Sequence, residues 1–265
     1  MVGLTSSPKN SRENPFKSSW SSRAIVFALI GYLYYSVSTL GITVDRLLIG
    51  LGESDRLLSR MFPPDFSRTS LLLNGLAESL QIAIISSFFG IVISLFLGLL
   101  AARNMMPSIV SAPVRAFIAL CRSFHPVIFA ILFVKAVGFG ALAGILTLVF
   151  ASIGFIAKLF AEAIEEISFK PVEAIRATGA SFMSVILYSV MPQVFTRFIG
   201  FASYQLDSNL RNSTMVGIVG AGGLGGTLFS AFQRFDYDFV SAILITIIAL
   251  ILVGEFLSNI VRRIF

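Results

Sequence analysis

The stretch KPVEAIRATGASFMSVILYSVMPQV, residues 170–194, decides how the rest of this 265-residue chain is understood. Pro171 suits the first turn of a helix, where its missing N–H has no partner to lose. Glu173 is expected in that first turn too, with its negative charge near the positive end of the helix dipole. Gly179 ends the element as helix C-terminal glycines do, and Ser181 can cap a second helix that starts beside it. The predicted shape is a short helix, a sharp turn and a second helix lying along a surface. With its flanks it exceeds a typical interhelical connection and has the form of a docking surface for a soluble partner.

On either side of this segment the chain is apolar. Hydrophobic residues make up 56% of the sequence and charged ones 13%, about half the charge of a soluble domain, and the mean hydropathy is +0.88. Runs long enough to cross a bilayer lie at about 24–43, 79–101, 116–137, 141–159, 196–218 and 239–258, which predicts an all-α membrane protein with about six spans. The apolar run at 24–43 is longer than a signal-peptide core and is expected to be an uncleaved helix. Residues 44–70, with their acids, arginines and Pro63-Pro64, are expected to form an aqueous loop that carries at most a short surface helix.

Six spans put both termini on one side. Lys9, Arg12, Lys17, Arg23, Arg103, Arg115, Lys158, Lys170, Arg176, Arg197, Arg262 and Arg263 fall on that side. Arg46, Arg56, Arg60, Arg68, Lys135 and Arg234 fall on the other. Basic residues concentrate on the cytoplasmic face, so both termini, the 1–23 tail and the 160–195 loop are expected there. Residues 24–265 form one transmembrane domain in this reading, and the glycine-rich segment at 217–229 faces outward. A net charge of +6 then marks cytoplasmic loops rather than a nucleic-acid surface.

Several polar side chains fall within the predicted spans, where an ionised group is costly unless it faces a bundle interior or water. Arg122 and His125 precede Pro126 and, on a continuous helix, would share a face. Asp207, Asn209, Arg211, Asn212, Ser213 and Thr214 crowd the fifth span, and Asp207, Arg211 and Thr214 recur at helical spacing. Two compatible readings stand. In one, Asp207 and Arg211 form an internal ion pair while amides and hydroxyls glue helices together. In the other, the stripe lines the route of a polar solute, with Arg122 and Arg211 favouring anions. One cysteine and one histidine leave no zinc motif, and no G-x-S-x-G or paired catalytic aspartate motif lies in the spans. A transporter fits better than an enzyme.

The run GIVGAGGLGGTLF (217–229) holds an apparent dinucleotide fingerprint in Gly220, Gly222 and Gly225. It also falls one residue short of a phosphate-binding loop, with Gly226 in place of the lysine. Both matches need a strand before the glycines, and here a membrane helix precedes them. Gly220, Gly222, Gly223 and Gly225 instead predict a close-packed re-entrant turn, buried in protein or lining a cavity. As an outer gate, that turn would shape the mouth of a pathway.

Glu173-Ala174, Gly179 and Pro192 resemble the E-A-A-x₃-G-x₉-I-x-L-P signature of ABC importer permeases, with Ile175, Ser189 and Met191 departing from it. FPPDF (62–66), SLQIAI (79–84), CRSFHPVIFAILFVKAVGFGALAG (121–144) and DSNLRNSTMVGIVGAGGLGGTL (207–228) extend the likeness to phosphonate- and phosphate-type permeases. The resemblance implies a type I importer fold working as a homodimer in the bacterial inner membrane. Its partners would be two ATPase subunits on the cytoplasmic side and a solute-binding protein on the other. ATP-Mg would sit on the ATPase and no cofactor on this chain. Glu173, Ala174, Arg176, Gly179 and Pro192 would couple the chain to the ATPase, and the cargo would be phosphonate or a related oxyanion. The competing reading is a self-powered secondary transporter of a small anion, with Glu78, Asp207 or His125 carrying protons.

Overall fold

A computed structural model describes residues 20–41 and 43–264. Most of the 1–23 tail therefore lies outside the described residues. Among those described, every regular element is helical. The chain divides into two compact units, one through Ser59 and one from Arg60 onward.

The first unit holds α1 (Trp20–Thr39) and α2 (Val44–Arg60). The expected aqueous loop is thus a 17-residue helix over its first part. Val44, Leu47, Leu48, Leu51 and Leu58 recur near helical spacing, with Asp45, Arg46, Glu53 and Arg56 between them, which is the pattern of an amphipathic helix.

The second unit is built on α3 (Thr69–Ala101), a 33-residue helix about 50 Å long at 1.5 Å per residue. Around it lie α4 (Ser108–Ser123), α5 (Pro126–Val137), α6 (Ala141–Glu165), α7 (Phe169–Ala177) and α8 (Phe182–Ala221). The chain ends with α9 (Gly223–Gln233) and α10 (Tyr237–Ile264). Four helices (α3, α6, α8 and α10) are long and apolar enough to cross a membrane, and up to six spans result if α1–α2 and α4–α5 each count as one bent span.

The predicted third span is not one helix. α4 and α5 meet at 94°, because Phe124 and His125 are extended (ψ 140° and 143°) ahead of Pro126, the conformation that a following proline favours. Arg122 therefore ends one helix while His125 caps the next, its Nδ1 accepting from the Val127 N–H at 3.3 Å. They do not share a helical face.

α8 is also longer than expected. It begins at Phe182, so residues 182–195 belong to the span and not to the loop before it. Pro192 lies well inside this helix, just after a π-helical turn at Ile186–Val190. The wider turn accommodates a proline whose ring would clash with the carbonyl four residues back.

Candidate functional site

Two regions at opposite ends of α3 and a polar seam between them hold most of the predicted site residues, with Arg122 and His125 set apart at the α4–α5 break. The first region surrounds α7. Met105 and Ala102, Phe160, Ala163 and Ile164 of α6, and Val185, Ile186, Val190 and Val194 of α8 form a buried cluster that receives Val172. Val172 is fully buried and Ile175 half-buried, which turns Glu173, Ala174, Arg176 and Gly179 to the surface. The helix starts at Phe169, two residues before Pro171, so Glu173 lies past the first turn where the sequence suggested it.

Gly179 has φ +77°, and its N–H donates to the Arg176 carbonyl at 3.0 Å, as in a helix-ending left-handed turn. Ser181 caps α8, accepting from the Ser184 N–H at 3.3 Å. Sequence reasoning missed Gln193. Its Oε1 accepts from the Ser168 N–H at 3.0 Å, and its Nε2 donates to the Ser168 carbonyl at 3.3 Å. That pair of bonds fixes the entrance to α7 against α8.

The second region is the glycine turn. Gly220, Gly222 and Gly223 have φ of +95°, +84° and +73°, values that L side chains adopt at a cost. Contacts are close on every side. A Cβ on Gly225 would overlap the Thr214 carbonyl, one on Gly223 the Ser79 hydroxyl, and one on Gly222 would reach Glu78. Ser79 Oγ accepts from the Leu224 N–H at 2.8 Å, and the Gly220 carbonyl from the Gly140 N–H at 3.0 Å.

The 11-residue α9, about 16 Å long, is too short to cross a hydrocarbon core of about 30 Å and packs back onto the last turns of α8. The turn is thus close-packed, as the glycine spacing predicts, and no strand among the described residues stands beside it to make a nucleotide fold. A cleft of about 510 Å³ opens here between Phe139, Ile218, Gly220, Gly226 and Phe229.

At this same end, Arg68 pairs with Asp236 at 3.0 Å, which holds the guanidinium above its ordinary pKa. The Ser67 hydroxyl and N–H hold the Asp65 carboxyl below the usual carboxylate range.

Between the two regions runs a polar seam in the middle of α3, α6 and α8. Asn209 is fully buried. Its Nδ2 donates to Ser87 Oγ at 2.9 Å and to Ser152 Oγ at 3.1 Å, and its Oδ1 accepts from Gln205 Nε2 at 2.9 Å. Asn209 thus acts as a hub between helices, and its partners Ser86, Ser87, Ser152 and Gln205 went unrecognised in the sequence. Ser213 is buried and donates to the Leu210 carbonyl at 2.8 Å.

The expected Asp207–Arg211 pair is present at 3.4 Å, with Asp207 buried and the Arg211 side chain 59% exposed. Asp207 Oδ1 and Thr214 Oγ1 are buried without a hydrogen-bond partner among the described residues. Tyr204, Ser208, Arg211, Met215 and Ile218 form one stripe along α8, and all but the half-buried Ser208 are exposed. Gly154, in the π turn of α6, leaves room for Arg122, since a Cβ there would sit 2.8 Å from Arg122 Cγ. Arg122 is exposed and makes no ion pair among the described residues.

Residues 94–265 match the family described as binding-protein-dependent transport system inner membrane component. The phosphite transport system permease protein PtxC of Stutzerimonas stutzeri is 39% identical over 241 residues, covering 91% of this chain and 87% of that protein. The phosphate-import permease protein PhnE of Mycolicibacterium smegmatis is 35% identical over 254 residues, covering 95% of this chain. The chain spans only 48% of that relative's length. Among solved structures, the inward-facing MetNI methionine ABC transporter superposes with a TM-score of 0.66 at 27% identity, over 76% of this chain and 99% of that one. With the family match covering well over half of its length, the chain belongs to the binding-protein-dependent transport system inner membrane components.

Proposed function

We propose that this chain is the permease of an ATP-driven importer for phosphite, phosphonate or a related phosphorus oxyanion. It works as a homodimer with two ATPase subunits and an external solute-binding protein. The observation that carries the reading is α7, a short helix anchored by Val172 that presents Glu173, Ala174, Arg176 and Gly179 at one end of the bundle. These residues form a handle that the ATPase holds. ATP-Mg binds on the ATPase, whose closure pushes α7 and tilts the bundle between two states.

Basic residues concentrate on the α7 side in the sequence, which supports its being cytoplasmic. The glycine turn is then the outer gate. The stripe with Arg211, and Arg122 beside the π turn of α6, supply cations along the route. The planar guanidinium fork can donate to two oxygens of a tetrahedral phosphorus oxyanion at once, which an ammonium does less well. The names of the two relatives support the choice of phosphorus as the central atom.

The test is uptake into vesicles that hold the chain with its ATPase and binding protein. ATP-dependent accumulation of labelled phosphite or phosphonate is expected. Accumulation driven by a proton gradient with no ATPase present would overturn the proposal in favour of a secondary transporter.

A further inference from the structure

We propose that the cavity between the end of α3 and the first turns of α4 binds the phosphate of an anionic phospholipid. The cavity measures about 380 Å³ and is lined by Arg103, Ser108, Ser111, Ala112 and Arg115. It lies where the apolar sequence of α3 stops at Ala101 and polar residues begin, the level of lipid headgroups.

The spacing on α4 gives the helix two adjoining faces. Ser108, Ser111, Ala112 and Arg115 recur at helical intervals and line the cavity. Ile109, Pro113, Phe117 and Leu120 form the neighbouring face, all of them exposed, Ile109 at 89%. One face suits a phosphate and the other an acyl chain. A free inorganic anion would fill the first and leave the second bare, whereas a phospholipid covers both.

The donors are partly pre-set. Arg115 donates from Nε to the Ala101 carbonyl at 2.8 Å and pairs through Nη2 with Glu165, leaving its other amino group available. Glu165 also accepts from the Arg103 N–H at 2.7 Å. Its carboxylate offsets the charge of Arg115, so Arg103, whose side chain has no ion pair among the described residues, supplies the net positive charge. The serine hydroxyls and the first N–H groups of α4 add donors around it. Basic pockets between membrane helices are suited to anionic headgroups for these reasons.

The test uses the full chain in detergent, analysed by native mass spectrometry with added phosphatidylglycerol, phosphatidylcholine or inorganic phosphate. Phosphatidylglycerol adducts should survive activation that strips phosphatidylcholine. Arg103→Gln should lower their retention about fivefold, the worth of one basic residue at an anionic headgroup. Arg197→Gln, an exposed arginine elsewhere, should leave retention unchanged. Ala112→Trp fills the cavity without touching a charge, and it should also expel the lipid. Equal retention of the two lipids would overturn the site, as would no effect of either cavity variant. Displacement by millimolar inorganic phosphate would overturn the assignment to lipid.

Discussion

Asn209 donates from Nδ2 to Ser152 Oγ at 3.1 Å, joining α8 to α6 at the residue that precedes the π turn Ile153–Ala157. Ser152 Oγ in turn donates to the Leu148 carbonyl at 2.6 Å and accepts from Gln205 Nε2 at 2.9 Å. Gly90 of α3 has no side chain, which lets Ser152 approach. Three helices therefore meet at one satisfied polar knot in an apolar surround, where an unpaired amide is costly.

Asn209→Ala should lower the stability of the reconstituted protein by about 1–2 kcal/mol, the range of interhelical hydrogen bonds in membranes. A double-mutant cycle with Ser87→Ala should show coupling between the two sites. Additive losses measured by chemical denaturation in micelles would mean that Asn209 contributes no shared bond.

The glycine turn makes a sharper contrast. Gly225→Ala puts a methyl group onto the Thr214 carbonyl, backbone against backbone, and neither side can yield without moving a helix. Its neighbour Gly226 meets nothing closer than the Gly217 carbonyl at 3.7 Å. Gly225→Ala should cost more than about 3 kcal/mol, the upper range for overpacking. Gly226→Ala should be neutral or stabilise α9 by up to about 1 kcal/mol. Folded yield and thermal stability in detergent would measure both.

These particulars show which features were legible in the sequence. Gly179, Ser181 and the glycine turn act through local backbone geometry, so their spacing already carries the information. The seam was not legible. Ser86, Ser87, Ser152 and Gln205 come from three helices distant in sequence, and each alone looks like any small polar residue in a span. The break at His125 was half visible, since Pro126 was plain but the size of the bend depends on the extended residues before it. The family likeness fixed the fold where such local signals stop.

Arg211 separates the two readings of the polar side chains in α8. Its side chain is 59% exposed, and among the described residues a single ion pair at 3.4 Å ties it to Asp207, so folding should depend on it weakly. Arg211→Ala should lower ATP-dependent uptake at least about tenfold, the loss of one charge-assisted oxyanion contact of about 1.5–3 kcal/mol. Folded yield should stay near that of the parent. Arg211→Lys should restore part of the uptake, since the charge remains while the planar fork is lost. Equal losses of yield and uptake would assign Arg211 to helix packing alone.

Glu173 is exposed and has no ion pair among the described residues, so Glu173→Lys should leave the permease folded. Gly179 stands in open space at φ +77°, so Gly179→Ala brings no clash, only the left-handed backbone cost of about 1–2 kcal/mol. Gln193→Ala removes both bonds that tie Ser168 to α8 and frees the entrance of α7. In the proposed importer all three changes act on the support or the contact face of α7, away from Arg122 and Arg211. In vesicles containing the ATPase, hydrolysis should persist while the ratio of solute moved to ATP consumed falls. The order should be Glu173→Lys, then Gln193→Ala, then Gly179→Ala, because the first alters the contact itself and the others only its support. An unchanged ratio for Glu173→Lys would remove α7 from the coupling path, whatever the fate of the other two.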